Sequence, residues 1–398
     1  FSICDDYIED DNPNIEKEII ESATTPTEEI KIPNTNSRAC VVIDRNTNTV
    51  LYGKNENQKR KMASTTKIMT ATIIIENCNL NETVEISKKA AGTGGSRLGL
   101  KAGDKITIRD LLYGLMMRSG NDSAVALAEY AGGSIEGFAE KMNQKASDLG
   151  LNNTHFETPH GLDSDEHYTT AYELALLSNY ALDNKIFAQI VGTKEYTITI
   201  NGYPKQLSNT NELLGNLDGV YGIKTGFTNG ANRCLVTACK RNNMDIICVV
   251  LGADTKNFRT QDSVKLINYI FDNFKPVNIG KIVNNNFEKW KNNYLDKIII
   301  NKSYSKNFDL KIENITNSVI PIRKDYIDLI NVDINCPLYF EAPIYKNSKL
   351  GSINLHISDT INFEYPIYNS YEVKRKNWNN YFIDFFKDYS STLSNLFL

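Results

Sequence analysis

Three short motifs, in a fixed order along the chain, constrain this sequence more than any other feature. They are Ser64-Thr65-Thr66-Lys67, Ser119-Gly120-Asn121 and Lys224-Thr225-Gly226. Each motif alone is weak, and Ser-x-x-Lys recurs at Ser303 and Lys306. Together they offer two serine hydroxyl groups, two amines and an amide, which is the set of groups that an active-serine enzyme needs. A fold that uses them must bring a helix start, a loop and a strand to one place.

The first motif has the spacing of a nucleophile and its base. A serine hydroxyl needs an adjacent base to become a good nucleophile. Residues 67–75 are apolar and predict a buried helix with Ser64 at its N-terminal end. Positions three apart share a helix face, so Lys67 Nζ reaches Ser64 Oγ. Burial and a second cation, Lys224, would favour the neutral, basic form of Lys67. The alternative, a surface lysine at a helix start, leaves the other two motifs unexplained.

The second motif interrupts two predicted helices, 108–118 and 122–130. It predicts a short loop with two exposed polar groups. Ser119 is a candidate proton relay to a leaving amine, and Asn121 a candidate hydrogen-bond partner of the substrate backbone. The alternative is an ordinary helix-breaking turn, since Ser, Gly and Asn are common in turns.

The third motif lies within a predicted strand, 220–228. Gly222 and Gly226 permit close approach of another backbone or of a ligand. Predicted strands at 234–240 and 246–251, joined by a tight turn at 241–243, complete an antiparallel meander. The Lys-Thr-Gly strand is expected at or near the edge of this sheet, where it can pair with an extended peptide.

The ordered triplet resembles the motif set of penicillin-binding proteins and serine β-lactamases. In more detail the chain resembles the D-alanyl-D-alanine carboxypeptidases, the low-molecular-mass penicillin-binding proteins. The stretches Ala63 to Lys67, Arg118 to Asp122 and Thr158 to Asp163, which includes His160-Gly161-Leu162, carry this resemblance. It is strong over residues 38–274 and looser to residue 373. It implies an α+β fold, with a serine β-lactamase/DD-peptidase-like catalytic domain of antiparallel sheet and helices.

The resemblance implies roles for the residues around the nucleophile. Ser64 forms the acyl-enzyme and Lys67 is its general base. Ser119 and Asn121 complete the proton path and the contact with substrate. The oxyanion hole consists of the backbone N–H groups of Ser64 and Phe227, two donors for the tetrahedral oxygen.

The resemblance also implies how substrate is held. Lys224, Thr225 and Gly226 contact the substrate, the first two through its terminal carboxylate. Arg259 stands where the family has an arginine that assists this recognition, although a structural arginine at a helix start is the alternative. Tyr221 is a departure from the acidic residue of many relatives. The resemblance implies no cofactor and no metal.

The activity implied is removal of the terminal D-alanine from peptidoglycan stem peptides, with penicillins as covalent inhibitors. Two alternatives stay open. A β-lactamase of similar fold would need a deacylating water, and the Glu-x-x-Leu-Asn pattern that positions it in the common class does not occur between Ser119 and Lys224. A membrane-bound peptidoglycan-binding scaffold would have no use for the intact set of catalytic residues.

Composition predicts four segments in this chain of 398 residues. Residues 1–36 carry ten acidic and two basic side chains and predict a disordered leader. Residues 37–275 form the catalytic domain, and the short alternating runs of 276–373 predict a small all-β domain. The net charge of −4, without a basic concentration, argues against a nucleic-acid partner. Seven cysteines and four histidines show no metal-binding spacing.

The last segment, residues 374–398, predicts an amphipathic helix at a membrane interface. Its large apolar residues fall within an arc of about 120° on a helical wheel: Trp378, Phe382, Phe385, Phe386, Tyr389, Leu393, Leu396 and Phe397. Lys374-Arg375-Lys376 precedes them, as expected for binding to anionic lipid. The alternative is a helix docked on the protein's own core. Because the chain starts at Phe1, a removed secretory signal and a location on the outer face of the cytoplasmic membrane are expected.

Overall fold

The computed structural model describes residues 30–303, 307–316, 318–358 and 361–396. The chain divides into two compact units, Phe1–Phe274 and Lys275–Leu398. All three motifs lie in the first unit.

The first unit combines one large antiparallel sheet with helices. Its strands are β1 (Ala39–Asp44), β2 (Val50–Lys54), β3 (Thr83–Glu85), β4 (Lys105–Thr107), β5 (Glu195–Ile200), β6 (Tyr203–Ser208), β7 (Val220–Thr228), β8 (Asn232–Arg241) and β9 (Met244–Ala253). Its helices are α1 (Lys67–Asn77), α2 (Lys88–Ala91), α3 (Ile108–Met117), α4 (Asn121–Gly132), α5 (Ile135–Asp148), α6 (Ala171–Leu182), α7 (Lys185–Val191) and α8 (Lys256–Asn273). The main sheet has five strands in the order β2-β1-β9-β8-β7.

This sheet is the middle of three layers. Successive side chains of a strand point to opposite faces, and those of β1 join two different cores. Val41 and Ile43 pack with the helices α1 to α7, whereas Cys40 and Val42 pack with α8. Burial of both faces explains why the central strands read as unbroken apolar runs.

The Lys-Thr-Gly strand, β7, is an edge of this sheet and pairs only with β8 within it, as predicted. The hairpin between β8 and β9 turns at Asn242 and Asn243, whose φ angles are 49° and 60°. Two consecutive left-handed residues match the right-handed twist of the strands, and asparagine tolerates this conformation. The edge strand β7 is therefore held in place by a continuous antiparallel meander.

The second unit is mostly β, and it also contains a helix, at residues 279–294, that the sequence did not predict. Its elements are β10 (Phe274–Asn278), α9 (Ile279–Tyr294), β11 (Ile299–Asn301), β12 (Leu310–Ile312), β13 (Val319–Arg323), β14 (Asn331–Asn335), β15 (Tyr339–Glu341), β16 (Lys349–His356), β17 (Asn362–Asn369) and α10 (Trp378–Leu396). Helix α9 buries Ile279, Val283 and Phe287 against the four-stranded sheet β12-β17-β16-β14. Their spacing of four residues is helical, but Asn and Lys residues between them obscure it.

Part of the predicted leader is also packed rather than disordered. The backbone N–H groups of Asn36 and Ser37 donate to the carboxylate of Asp262 at 3.2 and 2.8 Å. Lys54 Nζ donates to the carbonyl oxygen of Thr35 at 2.7 Å. The strongly acidic composition belongs to residues 1–29, which lie outside the described residues, and does not extend to 30–36.

Helix α10 carries exposed aromatic side chains. Trp378 is 85% exposed, Phe382 59% and Phe385 63%. The alternative of a helix docked on the protein's core therefore does not hold for these residues; Phe397 lies outside the described residues. None of the helices in the described part of the chain has the length and apolar character needed to cross a bilayer.

Candidate active site

Ser64 lies in a tight turn that precedes a buried helix, as predicted. The turn is a 3₁₀ segment, Ala63–Thr66, and α1 continues from Lys67. Ser64 is 1% exposed and Lys67 is fully buried. The Thr65 hydroxyl donates to the carbonyl oxygen of Met62 at 2.6 Å and so fixes the turn. The nucleophile candidate is held by backbone geometry rather than by a flexible loop.

The amine of Lys67 is the centre of the site. Its Nζ lies 2.8 Å from Ser64 Oγ and 3.4 Å from Ser119 Oγ. It donates to Asn121 Oδ1 at 2.7 Å and to the carbonyl oxygen of His160 at 3.0 Å. These oxygen atoms come from separate segments of the chain, so the fold brings the first two motifs together.

This arrangement suits Lys67 to accept a proton from Ser64. The Asn121 carbonyl and the His160 carbonyl only accept hydrogen bonds. A neutral lysine amine has two hydrogens, which these two acceptors take up, and its lone pair is then available to the hydroxyl at 2.8 Å. The geometry meets the distance requirement for general base catalysis.

Asn121 is oriented by a loop. Its Nδ2 donates to the carbonyl oxygen of Gly94 at 2.8 Å, and its backbone N–H donates to the carbonyl oxygen of Ser96 at 2.8 Å. Together these bonds turn the Oδ1 atom of Asn121 towards Lys67. Ser119 precedes Asn121 in a left-handed conformation with a φ of 56°, which is uncommon outside glycine. This strained corner between α3 and α4 places both side chains of the motif on the same amine.

The Lys-Thr-Gly strand runs beside the Ser64 turn. A methyl group built on Gly226 would lie 3.1 Å from the Ser64 backbone nitrogen and 3.2 Å from that of Thr65. Only glycine allows so close an approach without displacing the turn. Thr225 Oγ1 lies 2.9 Å from Thr210 Oγ1, and Lys224 Nζ donates to the carbonyl oxygen of Thr225 at 2.8 Å. The third motif is therefore adjacent to the other two.

Phe227 follows Gly226 on the same strand. Its ring lies 3.9 Å from the guanidinium carbon of Arg233, which is the residue opposite it on β8. This cation–π contact fixes the backbone at the residue whose N–H is the predicted second oxyanion donor. That role of Phe227 remains a prediction.

The His160-Gly161-Leu162 segment contributes a group that the sequence did not assign. The carbonyl oxygen of His160 contacts Lys67 Nζ at 3.0 Å. Gly161 has a φ of +87°, and a methyl group there would lie 1.9 Å from the carbonyl oxygen of Ala63. Burial, with the charge of Lys67 second, lowers the pKa of His160 to about 3, so its ring is neutral. The glycine within the His-Gly-Leu segment was the available signal in the sequence, because glycine permits a close approach between backbones. A backbone carbonyl oxygen has no sequence signature of its own.

A second histidine supports the Ser64 turn. Thr66 Oγ1 donates to the carbonyl oxygen of Ala63 at 2.8 Å and lies 2.7 Å from His167 Nε2. The backbone N–H of Glu157 donates to His167 Nδ1 at 3.0 Å, so Nε2 carries the proton. Burial, followed by the charge of His155, lowers the pKa of His167 to about 4. His167 is thus a neutral donor to the turn.

Arg259 is buried in the first turns of α8 and forms an ion pair with Glu212 at 3.1 Å. Burial alone would raise the pKa of Glu212, but Arg259, the Thr260 hydroxyl and Lys256 together hold it below its ordinary value. Glu212 follows Thr210, the partner of Thr225, by two residues. The contact with Glu212 fits the structural alternative, and a role of Arg259 in carboxylate recognition remains a prediction.

Within the described residues, no group of three or more His, Cys, Asp or Glu side chains is arranged to hold a metal ion. Cys40, Cys78, Cys239, Cys248 and Cys336 are free thiols, and Cys4 lies outside the described part of the chain. Burial raises the pKa of the Cys239 thiol to about 11, so this sulfur is a core atom rather than a nucleophile.

Comparisons with known proteins agree with this site. A model of the family described as D-alanyl-D-alanine carboxypeptidase, peptidase family S11, matches residues 23–255. D-alanyl-D-alanine carboxypeptidase DacF of Bacillus subtilis is 34% identical over 325 residues, which are 80% of this chain and 81% of that protein. A D-alanyl-D-alanine carboxypeptidase of Streptomyces sp. is 36% identical over 265 residues, 62% of this chain and 91% of that protein.

Solved structures are also similar to this chain. The crystal structure of D-alanyl-D-alanine carboxypeptidase DacD from Francisella tularensis superimposes with a TM-score of 0.69 at 26% identity, covering 89% of this chain and 98% of that one. The Streptomyces K15 DD-transpeptidase gives a TM-score of 0.59 at 35% identity, covering 61% and 100%. Ser64, Lys67 and the Lys-Thr-Gly strand lie side by side in the structure. Together with this geometry, the matches establish that the chain belongs to the family of D-alanyl-D-alanine carboxypeptidases, the S11 serine peptidases.

Proposed function

We propose that the protein removes the terminal D-alanine from peptidoglycan stem peptides that end in D-Ala-D-Ala, through an acyl-enzyme on Ser64. One observation carries the proposal. Lys67 Nζ lies 2.8 Å from Ser64 Oγ and contacts two fixed acceptors, Asn121 Oδ1 and the His160 carbonyl oxygen. Relatives whose names state this activity align with more than half of the chain.

Acylation uses the first two motifs in turn. Ser64 Oγ attacks the carbonyl carbon of the penultimate D-alanine while its proton passes to Lys67 Nζ. The oxyanion that forms accepts from the backbone N–H groups of Ser64 and Phe227. When the C–N bond breaks, the proton returns through Ser119, 3.4 Å from Lys67 Nζ, to the leaving amine of the terminal D-alanine.

Deacylation reverses these roles. Water attacks the ester carbonyl and gives its proton to Lys67, and Ser64 Oγ is released with a proton. An amine in place of water would give transpeptidation, and one solved relative is named a DD-transpeptidase. A β-lactam ring presents the same acyl carbon to Ser64, and the resulting ester makes penicillins covalent inhibitors.

Lys224 and Thr225 are the proposed partners of the substrate's free carboxylate. Lys224→Ala should raise KM for a peptide ending in a carboxylate more than about tenfold, because it removes the cation that a carboxylate pairs with. KM for the same peptide ending in an amide should change by less than about threefold. Equal effects on both peptides would contradict this assignment.

The activity is tested by D-alanine release from a diacyl-D-Ala-D-Ala peptide, measured beside the turnover of a β-lactam. We expect steady release of D-alanine and slow turnover of the β-lactam, and Ser64→Ala should abolish both. Rapid β-lactam turnover without D-alanine release would identify a β-lactamase. Binding of the peptide without either reaction would identify a scaffold.

The proposal includes attachment to the outer face of the cytoplasmic membrane through residues 374–398. The exposed aromatic side chains of α10 and the preceding Lys374-Arg375-Lys376 support it. Apolar burial would hold the helix at the interface, and the basic residues would add an attraction to anionic lipid that salt screens. Secretion is part of the same proposal, because the substrate is a component of the cell wall.

Two variants of the full chain separate these contributions. Replacing Phe382, Phe385 and Phe386 with serine should abolish co-sedimentation with anionic vesicles and leave D-alanine release from a soluble peptide unchanged. Replacing Lys374, Arg375 and Lys376 with glutamine should weaken binding at low salt but not at high salt. If the wild-type protein does not sediment with vesicles, the membrane proposal is wrong.

A further inference from the structure

A buried carboxylate next to the second motif has no part in the reaction described above. Asp122 is fully buried at the start of α4. Its Oδ1 accepts from the backbone N–H groups of Leu98 at 2.8 Å and Ser123 at 2.9 Å. Its Oδ2 accepts from those of Gly99 at 2.8 Å and Leu100 at 3.0 Å. One side chain thus binds three consecutive amides of a loop.

That loop, residues 92–100, is the one that orients Asn121. Residues 94–100 lie outside any helix or strand, so their buried backbone amides need some other acceptor. Asp122 supplies it on one side of the loop. On the other side, the carbonyl oxygens of Gly94 and Ser96 accept from Asn121 at 2.8 Å.

Asn121 in turn contacts the base. Its Oδ1 lies 2.7 Å from Lys67 Nζ, and the hydrogen bond from its Nδ2 to the Gly94 carbonyl oxygen keeps Oδ1 turned towards the amine. The Asp122 carboxylate, the loop, the Asn121 amide and the Lys67 amine therefore form one continuous set of contacts.

We infer that Asp122 is a positioning residue for the general base: it fixes the loop 92–100, and the loop fixes the Asn121 amide against Lys67. This inference rests on the proposed function, since it concerns the acylation of Ser64. Asp122 itself touches neither Lys67 nor Ser64 in the described contacts and acts through Asn121.

Glu173 provides a matched control. It is also a buried carboxylate that binds a loop, accepting from the backbone N–H of Asn153 at 2.9 and 3.0 Å and from the hydroxyl of Thr154 at 2.5 Å. It has no described contact with the catalytic residues. Glu173→Gln should therefore cost stability in the same way as Asp122→Asn without changing the chemistry.

The test is a double-mutant cycle on acylation by a fluorescent penicillin, with the limiting rate and the dissociation constant of the noncovalent complex measured separately. Asp122→Asn should lower the limiting rate at least about tenfold and change the dissociation constant by less than about threefold. In an Asn121→Ala background it should lower the rate by less than about threefold further, because the group it positions is gone. Glu173→Gln should leave the limiting rate within about threefold of the wild type.

Other outcomes overturn the inference. A wild-type rate in Asp122→Asn would show that Asp122 does not act through Asn121. The same conclusion would follow if the double variant lost the product of the two single rate losses, or if Glu173→Gln lost as much rate as Asp122→Asn. If Asp122→Asn does not fold, Asp122→Glu, which moves the carboxylate by one methylene group, is measured with the same criteria. If the wild-type protein is not acylated at all, the proposed function fails instead.

Discussion

Adding one methyl group at Gly226 should separate the stability of the protein from its activity. In Gly226→Ala the new methyl group lies 3.1 Å from the Ser64 backbone nitrogen and 3.3 Å from the Ala63 side chain. Contacts this tight require shifts of a few tenths of an ångström, which in a packed interior cost about 1–3 kcal/mol. The methyl group also faces the N–H that is the proposed oxyanion donor.

The loss of activity should be larger than the loss of stability explains. Removing one oxyanion donor typically slows an enzyme by about 10²- to 10³-fold. We therefore expect acylation by a fluorescent penicillin to fall at least about 10²-fold at a temperature where urea unfolding shows the variant fully folded. The assay compares acylation rate and unfolding free energy on one protein preparation.

Gly53→Ala is the matched control for this prediction. Gly53 lies on β2, the other edge of the same sheet, and the atoms nearest to its methyl group would be the flexible carboxyl end of Glu56, at 2.8 Å. This variant should acylate at the wild-type rate. Acylation of Gly226→Ala within about threefold of the wild type would mean that Gly226 does not border the path of attack.

Three further predictions follow from the described contacts. Lys67→Ala should slow acylation roughly 10³-fold, as for loss of a general base, with a folded circular-dichroism spectrum. Gly161→Ala should lower the midpoint of thermal unfolding strongly, because its methyl group would overlap the Ala63 carbonyl at 1.9 Å; an unchanged midpoint would contradict this close approach. Burial, opposed by Thr47, raises the pKa of Asp44 from 3.8 to about 6. The folded state then binds the proton more tightly, so stability falls as pH rises from about 4 to about 6, by at most about 3 kcal/mol. Asp44→Asn should not show this fall in urea titrations.

The sequence predicted the site well where the chemistry resides in side chains within one motif. Ser64 and Lys67 are three residues apart on a helix start, and this spacing alone fixes their contact. The edge position of Lys224 followed from the meander, because a strand that begins a series of hairpins has one unpaired side. In these cases local geometry determines the result.

The sequence was less informative where the site depends on backbone atoms or on distant segments. The His160 carbonyl contacts Lys67 across 93 residues, and every residue type has such an oxygen. The loop that holds Asn121 is fixed by Asp122, whose carboxylate looked like any acidic residue at a helix start. Helix α9 was missed because Asn and Lys residues surround its apolar positions, such as Val283 and Phe287. These positions are buried only because the helix packs against the sheet that it covers.

Mass spectrometry of the penicillin-treated protein is the sharpest test of Ser64 as the nucleophile, because it locates the covalent bond. We expect one adduct per chain, on the peptide that contains Ser64, and no adduct in Ser64→Ala. Labelling that persists in Ser64→Ala, or an adduct on the peptide that contains Ser303, the serine of the second Ser-x-x-Lys sequence, would show that Ser64 is not the nucleophile.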